Sequence, residues 1–295
     1  MKKTLLLAIV LGLIPGFVAA QKRKPLPPPP MAVFAVLNDG KSVEPIAKIQ
    51  GGKLSELSDG GDDQVTLKKF IGSYYKPSTK YKLVFGGANA GTVMIKSSNP
   101  DSECGRNMAE VTVASTKAKL KGMVMALATS AAVKGSGVRR LPTPAERSAA
   151  EALVRAEFSR QKVGAKNLKY HNLTALDLNS DGAAELVGSF WVEPGPTERA
   201  LLFFIAAKGA DGKYAFGYSS FKTYKNDEVM SGDVKDTDTG VYHELLLDVL
   251  DIDGDGKSEV FTYIQSFEGA GFSAYAEKNG KWELIFEGSN YHCGY

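Results

Sequence analysis

An acidic nine-residue pattern, Asp-x-(Asn/Asp)-x-Asp-Gly-x-x-Glu, occurs twice in the chain. The first copy is Asp177, Asn179, Asp181, Gly182 and Glu185, and the second is Asp251, Asp253, Asp255, Gly256 and Glu259. Few local patterns restrict a backbone more. Oxygen-bearing side chains at alternate positions converge only if the chain curls, and the glycine permits the sharp bend. Strand-like runs flank both copies. Aligning residues 174–192 with 248–266 sets Leu176 on Leu250, Leu178 on Ile252, Gly182 on Gly256 and Leu186 on Val260. Asp177 and Asp251 lie 74 residues apart, room for about four strands with their turns.

Calcium takes six to eight hard oxygen ligands around a compact turn, and each loop offers such a set. The ligands expected are Asp177, Asn179, Asp181, the Ala183 carbonyl and Glu185 in the first copy. In the second they are Asp251, Asp253, Asp255, the Lys257 carbonyl and Glu259. Without a cation these like-charged groups repel, so the metal is expected to be structural. The Asp251 loop should bind more tightly, because Asn179 removes one charge from the other. An EF-hand is excluded, because its bidentate glutamate stands at position twelve between helices. Here position twelve is Gly188 or Thr262, and both flanks read as strand.

The short loop closed by a glutamate at position nine resembles the FG-GAP repeat, also called the integrin-type or VCBS repeat. The resemblance covers about the last 125 residues. It implies Ca2+ between two strands and four-stranded blades of a propeller. Residues 81–91, YKLVFGGANAG, are similar to the Phe-Gly-Gly signature but lack a following acidic loop. Two copies cannot close a propeller. Either the N-terminal region supplies degenerate blades, or the repeats pack as a compact β-sandwich.

Residues 1–20 read as a signal peptide: Lys2 and Lys3, an apolar stretch, then Val18-Ala19-Ala20 before a cleavage at Gln21. Gly12, Pro15 and Gly16 break that stretch, and no later one is long enough to span a bilayer. An exported protein, periplasmic or secreted, is therefore expected. Removing Lys2 and Lys3 from 36 basic side chains leaves 34 against 33 acidic ones, a formal charge of +1 that argues against nucleic-acid binding. In an oxidising compartment two cysteines without CxxC spacing, Cys104 and Cys293, favour one disulfide.

The proline run at 21–30 is an extended tether. Residues 31–129 form a β-rich region opened by a hairpin over Met31–Leu37, Asn38-Asp39-Gly40 and Val43–Ile49. A loop and one amphipathic helix occupy 130–165. Thr143-Pro144-Ala145-Glu146 is a capping box with a first-turn proline, and Gly164 is the expected stop. The C-terminal β region, 166–295, carries both repeats. The fold class expected is thus mainly β, with one helix between two β regions.

His171, His243 and His292 have no partners that would make a catalytic or zinc site. Residues 68–82, KKFIGSYYKPSTKYK, set Lys69 among Tyr74, Tyr75 and Tyr81, a mixture suited to a polyanion or sugar face. More often such a run is a solvated strand edge guarded by lysines. Trp191 and Trp282 read as core. The function these features favour is a non-enzymatic, calcium-stabilised binding or scaffolding module for a protein or glycan partner. The alternatives are a hydrolase with its site in the N-terminal region, and a lectin.

Overall fold

The computed structural model describes residues 27–58 and 60–293. The expected signal peptide and the first residues of the tether lie outside them. Residues 27–30 are exposed and carry no regular structure.

The N-terminal strands close on themselves. They are β1 (Met31–Leu37), β2 (Ser42–Gln50), β3 (Lys53–Glu56), β4 (Lys80–Phe85), β5 (Ala88–Ser98), β6 (Ala109–Ser115) and β7 (Ala126–Thr129). Antiparallel pairing runs β1-β7-β4-β5-β6-β2, and β2 returns to β1, which makes a closed six-stranded barrel. β3 extends the outer edge of β2, pairing Ala47 with Glu56 through Gln50 with Lys53. Blades are absent from this region among the described residues. Alternation explains the unbroken apolar run of β1: Ala32, Phe34 and Val36 point into the barrel, and Val33, Ala35 and Leu37 point outward against other strands.

The barrel is plugged by a helix that the periodicity of residues 64–74 does not announce. α1 (Gln64–Tyr74) is capped by Asp63, whose carboxylate accepts from the Val65 and Thr66 amides. Its Leu67, Phe70 and Tyr74 join Tyr75, Tyr81 and Phe34 in the interior. The Tyr81 hydroxyl donates to the Tyr74 carbonyl at 2.6 Å. Tyr74, Tyr75 and Tyr81 are therefore packing residues, corrected from the ligand-stacking rings expected of them. Each is 6% exposed or less, so no ring face is open to a sugar or a base. Lys69 stays exposed.

β8 (Arg139–Arg140) leads to the second helix, α2 (Pro144–Arg160), whose Thr143–Glu146 capping box forms as expected. α2 stops at Gln161, three residues before Gly164, where the Gln161 amide bonds back to Glu157. Two antiparallel meanders follow. β9 (Lys169–Leu176), β10 (Glu185–Gly195), β11 (Glu198–Lys208) and β12 (Tyr214–Lys225) form one sheet, with β8 added at the β9 edge. β13 (Glu244–Leu250), β14 (Glu259–Gln265), β15 (Gly269–Lys278) and β16 (Lys281–Tyr291) form the other.

The layers stack in order. Ala150, Val154 and Phe158 of α2 cover one face of the first meander, packing on Phe190, Leu202 and Phe204. Its other face meets the second meander through Val187, Phe203, Ile205, Leu246, Val260 and Tyr275. The far side of the second meander, with Leu247, Phe261, Phe272 and Ala274, packs on the outward residues of the barrel. The inner strands of the stack, such as β1, β10, β11 and β13, are thus buried on both faces, and burial on that scale is the main stabilising term.

Candidate metal centre

Both acidic loops occupy the same place in their sheets, the turn between the first and second strand of each meander. Their internal geometry repeats. Glu185 accepts the Leu178 amide at 2.9 Å, and Glu259 accepts the Ile252 amide at 2.9 Å. Asn179 accepts from Asp181 N at 3.1 Å, as Asp253 does from Asp255 N. Asp181 then accepts from Ala183 N at 2.7 Å, and Asp255 from Lys257 N at 2.8 Å. Asn179, Asp181, Asp253 and Asp255 thus each fold back over the amide two residues on, an Asx turn that winds the loop. The sequence reading pairs these positions, and the backbone treats them alike.

The two loops differ at their first aspartate. Asp251 turns both oxygens on its own loop, accepting Gly254 N at 2.6 Å and Gly256 N at 3.2 Å. The carboxylates of Asp251, Asp253 and Asp255 bring oxygens within 4.8 Å of one another. Asp177 is 7% exposed, and its buried Oδ1 has no hydrogen-bond partner. An uncompensated carboxylate oxygen out of water is strongly unfavourable, so this atom asks for a cation or a donor.

The closing glutamates feel the same excess of negative charge. Burial pushes the Glu259 carboxyl up to about 7, and the nearby Asp253 and Asp251 carboxylates push it the same way. Burial also raises Glu185, with Asp181 and Asp177 adding to it. Oxygen-only donors, an orphaned buried oxygen and glutamates raised by burial and, less, by neighbouring carboxylates together make a donor set that fits a hard divalent cation.

The loops are joined to each other and to the barrel. Ser258 N donates to the Leu178 carbonyl at 2.7 Å, and Ser136 Oγ donates to the Asp177 carbonyl at 3.1 Å. On the barrel side, Gly52 sits against Asp253. A Cβ at Gly52 would lie 2.6 Å from the Asp253 Cβ. Beside the first loop a cleft of about 190 Å³ opens between Asn179, Asp181, Glu277 and Trp282. Trp282 is half-buried and packs against the core between the meanders, while Trp191 is 4% exposed.

Comparison with protein-family models, with curated proteins and with solved structures finds no match for this chain. The site must therefore be read from its own chemistry.

Sequence reasoning passes over a second polar centre, three residues before the second loop. Asp248 is fully buried and accepts from Gly86 N, Gly87 N and Arg139 Nη1 at 3.0, 3.0 and 2.6 Å. The Phe-Gly-Gly turn of the barrel thus serves as an anion cradle for β13. Both glycines have positive φ, which leaves their amides free to point at the carboxylate.

The histidines lie elsewhere. His171 and His243 meet edge to face with ring centroids 4.2 Å apart, beside Trp191. Ser189 Oγ is 3.3 Å from His243 Nδ1, but the serine is 1% exposed and the histidine 0%, so no substrate reaches the pair. Burial, then His171, pushes His243 down to about 3. His292 bonds the buried Glu44 at 3.1 Å, next to the disulfide of Cys104 and Cys293.

Proposed function

We propose that this protein is an exported, calcium-stabilised binding or scaffolding module whose C-terminal meanders are FG-GAP-type repeats. The single observation that carries the metal reading is the orphaned Oδ1 of Asp177, a buried carboxylate oxygen at the first ligand position of a repeated loop. Asp177, Asn179, Asp181, Glu185 and the Ala183 carbonyl would hold one ion. Asp251, Asp253, Asp255, Glu259 and the Lys257 carbonyl would hold the other. The ion would supply positive charge to crowded oxygens and a cross-link between the ends of a tight turn.

Stability is the first role this assigns to calcium, since each loop sits on the seam between layers. The partner, a protein or a glycan, would be met by the loops at that seam. The repeat reading is supported by the equivalent position of both loops and by their matching hydrogen bonds.

Calorimetric titration of calcium into chelator-stripped protein, beside an Asp251→Ala/Asp253→Ala variant, tests the proposal. Saturable binding that the variant weakens or halves is expected. No binding heat, with a melting temperature that calcium leaves unchanged, would reduce the loops to ordinary hairpin turns.

A further inference from the structure

The two acidic loops share a hydrogen-bond pattern but not a setting. Four of the five expected donors of the first loop, Asn179, Asp181, Ala183 and Glu185, line the cleft of about 190 Å³ beside it. The fifth, Asp177, carries the unpartnered Oδ1 although the residue is only 7% exposed. The cleft beside the second loop holds two of that loop's donors, Asp253 and Glu259, and no aromatic ring. There Gly52 of the barrel already lies against Asp253.

The far wall of the first cleft is an aromatic ring seated with care. Trp282 and Glu277 are cross-strand partners on β16 and β15, so their side chains share one face. The indole is half-buried and lines the cleft. Against it lies Gly217, the extra residue of a β-bulge in β12, between the pairs Ile205–Tyr218 and Ala206–Phe216. A Cβ at Gly217 would stand 2.5 Å from Trp282 Cδ1 and 3.1 Å from its Nε1. Any other residue at 217 would push the ring away, and a glycine inside a strand often marks such a close approach. Lys257 Nζ holds Glu277 Oε2 at 3.2 Å, and Lys208 adds an exposed amine at the rim. One indole is thus surrounded by both acceptors and donors.

We propose that this cleft is a saccharide subsite, in which one sugar unit lies against Trp282 and turns two vicinal hydroxyls toward the cation of the first loop. This rests on the metal reading of that loop. Calcium takes six to eight oxygens; with one from each of the loop's five ligand residues, roughly one to three positions fall to groups from the cleft. A sugar hydroxyl is a neutral, hard oxygen that both donates and accepts, so its neighbours on the ring can meet Glu277 and Lys208 as well. The C–H face of a pyranose supplies an apolar surface for the indole. An acidic peptide would instead bring charge to a wall that already holds Asp181, Glu185 and Glu277. The cleft is also smaller than the roughly 300–1,000 Å³ of drug-sized sites, which suits a single ring at a chain end.

Glucose, mannose, galactose and fucose between them present cis and trans vicinal diols. Each is titrated calorimetrically into the protein, with calcium and with chelator, beside a sugar-free calcium titration. At least one should bind in calcium and not in chelator. Its dissociation constant should be on the order of 1 mM, as for a ligand of about a dozen heavy atoms. Trp282→Leu should weaken binding about tenfold, and Glu277→Gln about threefold. Both variants should keep the calcium affinity of the first loop. If the melting curve shows Trp282→Leu unfolded, Glu277→Gln decides alone, since its side chain reaches solvent.

Calcium binding with no heat from any of the four sugars would overturn the subsite and leave the metal reading standing. Sugar binding that survives chelator, or that both variants leave unchanged, would do the same. Absence of calcium binding in the sugar-free titration would remove the metal reading itself, and this proposal with it.

Discussion

Arg139 Nη1 lies 2.6 Å from Asp248 Oδ2, with the two side chains 6% and 0% exposed. The contact joins residues 109 apart in sequence and ties the three β layers together. Arg139 belongs to the strand at the edge of the first meander and Asp248 to the second. The carboxylate also holds the Phe-Gly-Gly turn of the barrel, while the guanidinium lies over the Phe85 ring and donates to the carbonyls of Met125 and Leu247. A buried pair of this kind adds little to stability compared with an apolar pair, but breaking it leaves a charge unpaired.

Arg139→Met is therefore expected to destabilise the fold by about 3–5 kcal/mol, because it leaves the buried Asp248 without its counterion. Urea unfolding followed by tryptophan fluorescence measures it. A loss below about 1 kcal/mol would put the pair in the class of surface ion pairs.

Reduction of the disulfide should matter as much. Cys104 and Cys293 close a loop of 189 residues, and chain entropy alone assigns such a link about 5 kcal/mol. Its neighbourhood holds the last strand by other means. Asn290 donates to the Pro45 carbonyl at 2.9 Å and accepts from Asn107 at 3.0 Å, and His292 bonds Glu44. A Cys104→Ser/Cys293→Ser variant should thus still fold, with a melting temperature lower by more than about 5 °C.

Acid should weaken the seam between the meanders. An unfolded histidine protonates near pH 6.5, whereas buried His243 stays neutral down to about 3. Its contribution is complete above pH 6.5 and is lost as pH falls from there toward 3. His292 works in the opposite direction, because its bond to Glu44 raises it: that contribution is complete below pH 6.5 and is lost as pH rises. His243→Gln should flatten the fall in melting temperature between pH 6.5 and 4, whatever it does to the value at pH 7. An unchanged slope would show that carboxylates alone set the acid limb.

Ligand charge should order the two loops. Asn179→Asp gives the first loop the donor set of the second, so its calcium affinity should rise roughly tenfold, within the range over which ligand count tunes such sites. A two-site calorimetric fit would show the two affinities converge. No change in either site would mean that position 179 does not contact the ion.

The sequence by itself determined what is local. The Asn38-Asp39-Gly40 turn, the Thr143 capping box, the strand over Lys80–Phe85 and the repeated acidic loops are legible because turn chemistry and side-chain alternation act over a few residues. The pairing of Cys104 with Cys293 is legible too, since only two cysteines exist. Tertiary structure decided the rest. Whether β2 returns to β1 and closes a barrel depends on contacts that no single segment encodes. α1 is hidden because Phe70 and Tyr74, with Tyr75 at its C-terminal cap, lie in a short, lysine-rich stretch, and their burial needs the finished cavity. The partnerless oxygen of Asp177 and the cradle for Asp248 arise only when distant strands meet. Each concerns which polar groups lose water and which find partners, and long-range packing alone decides that.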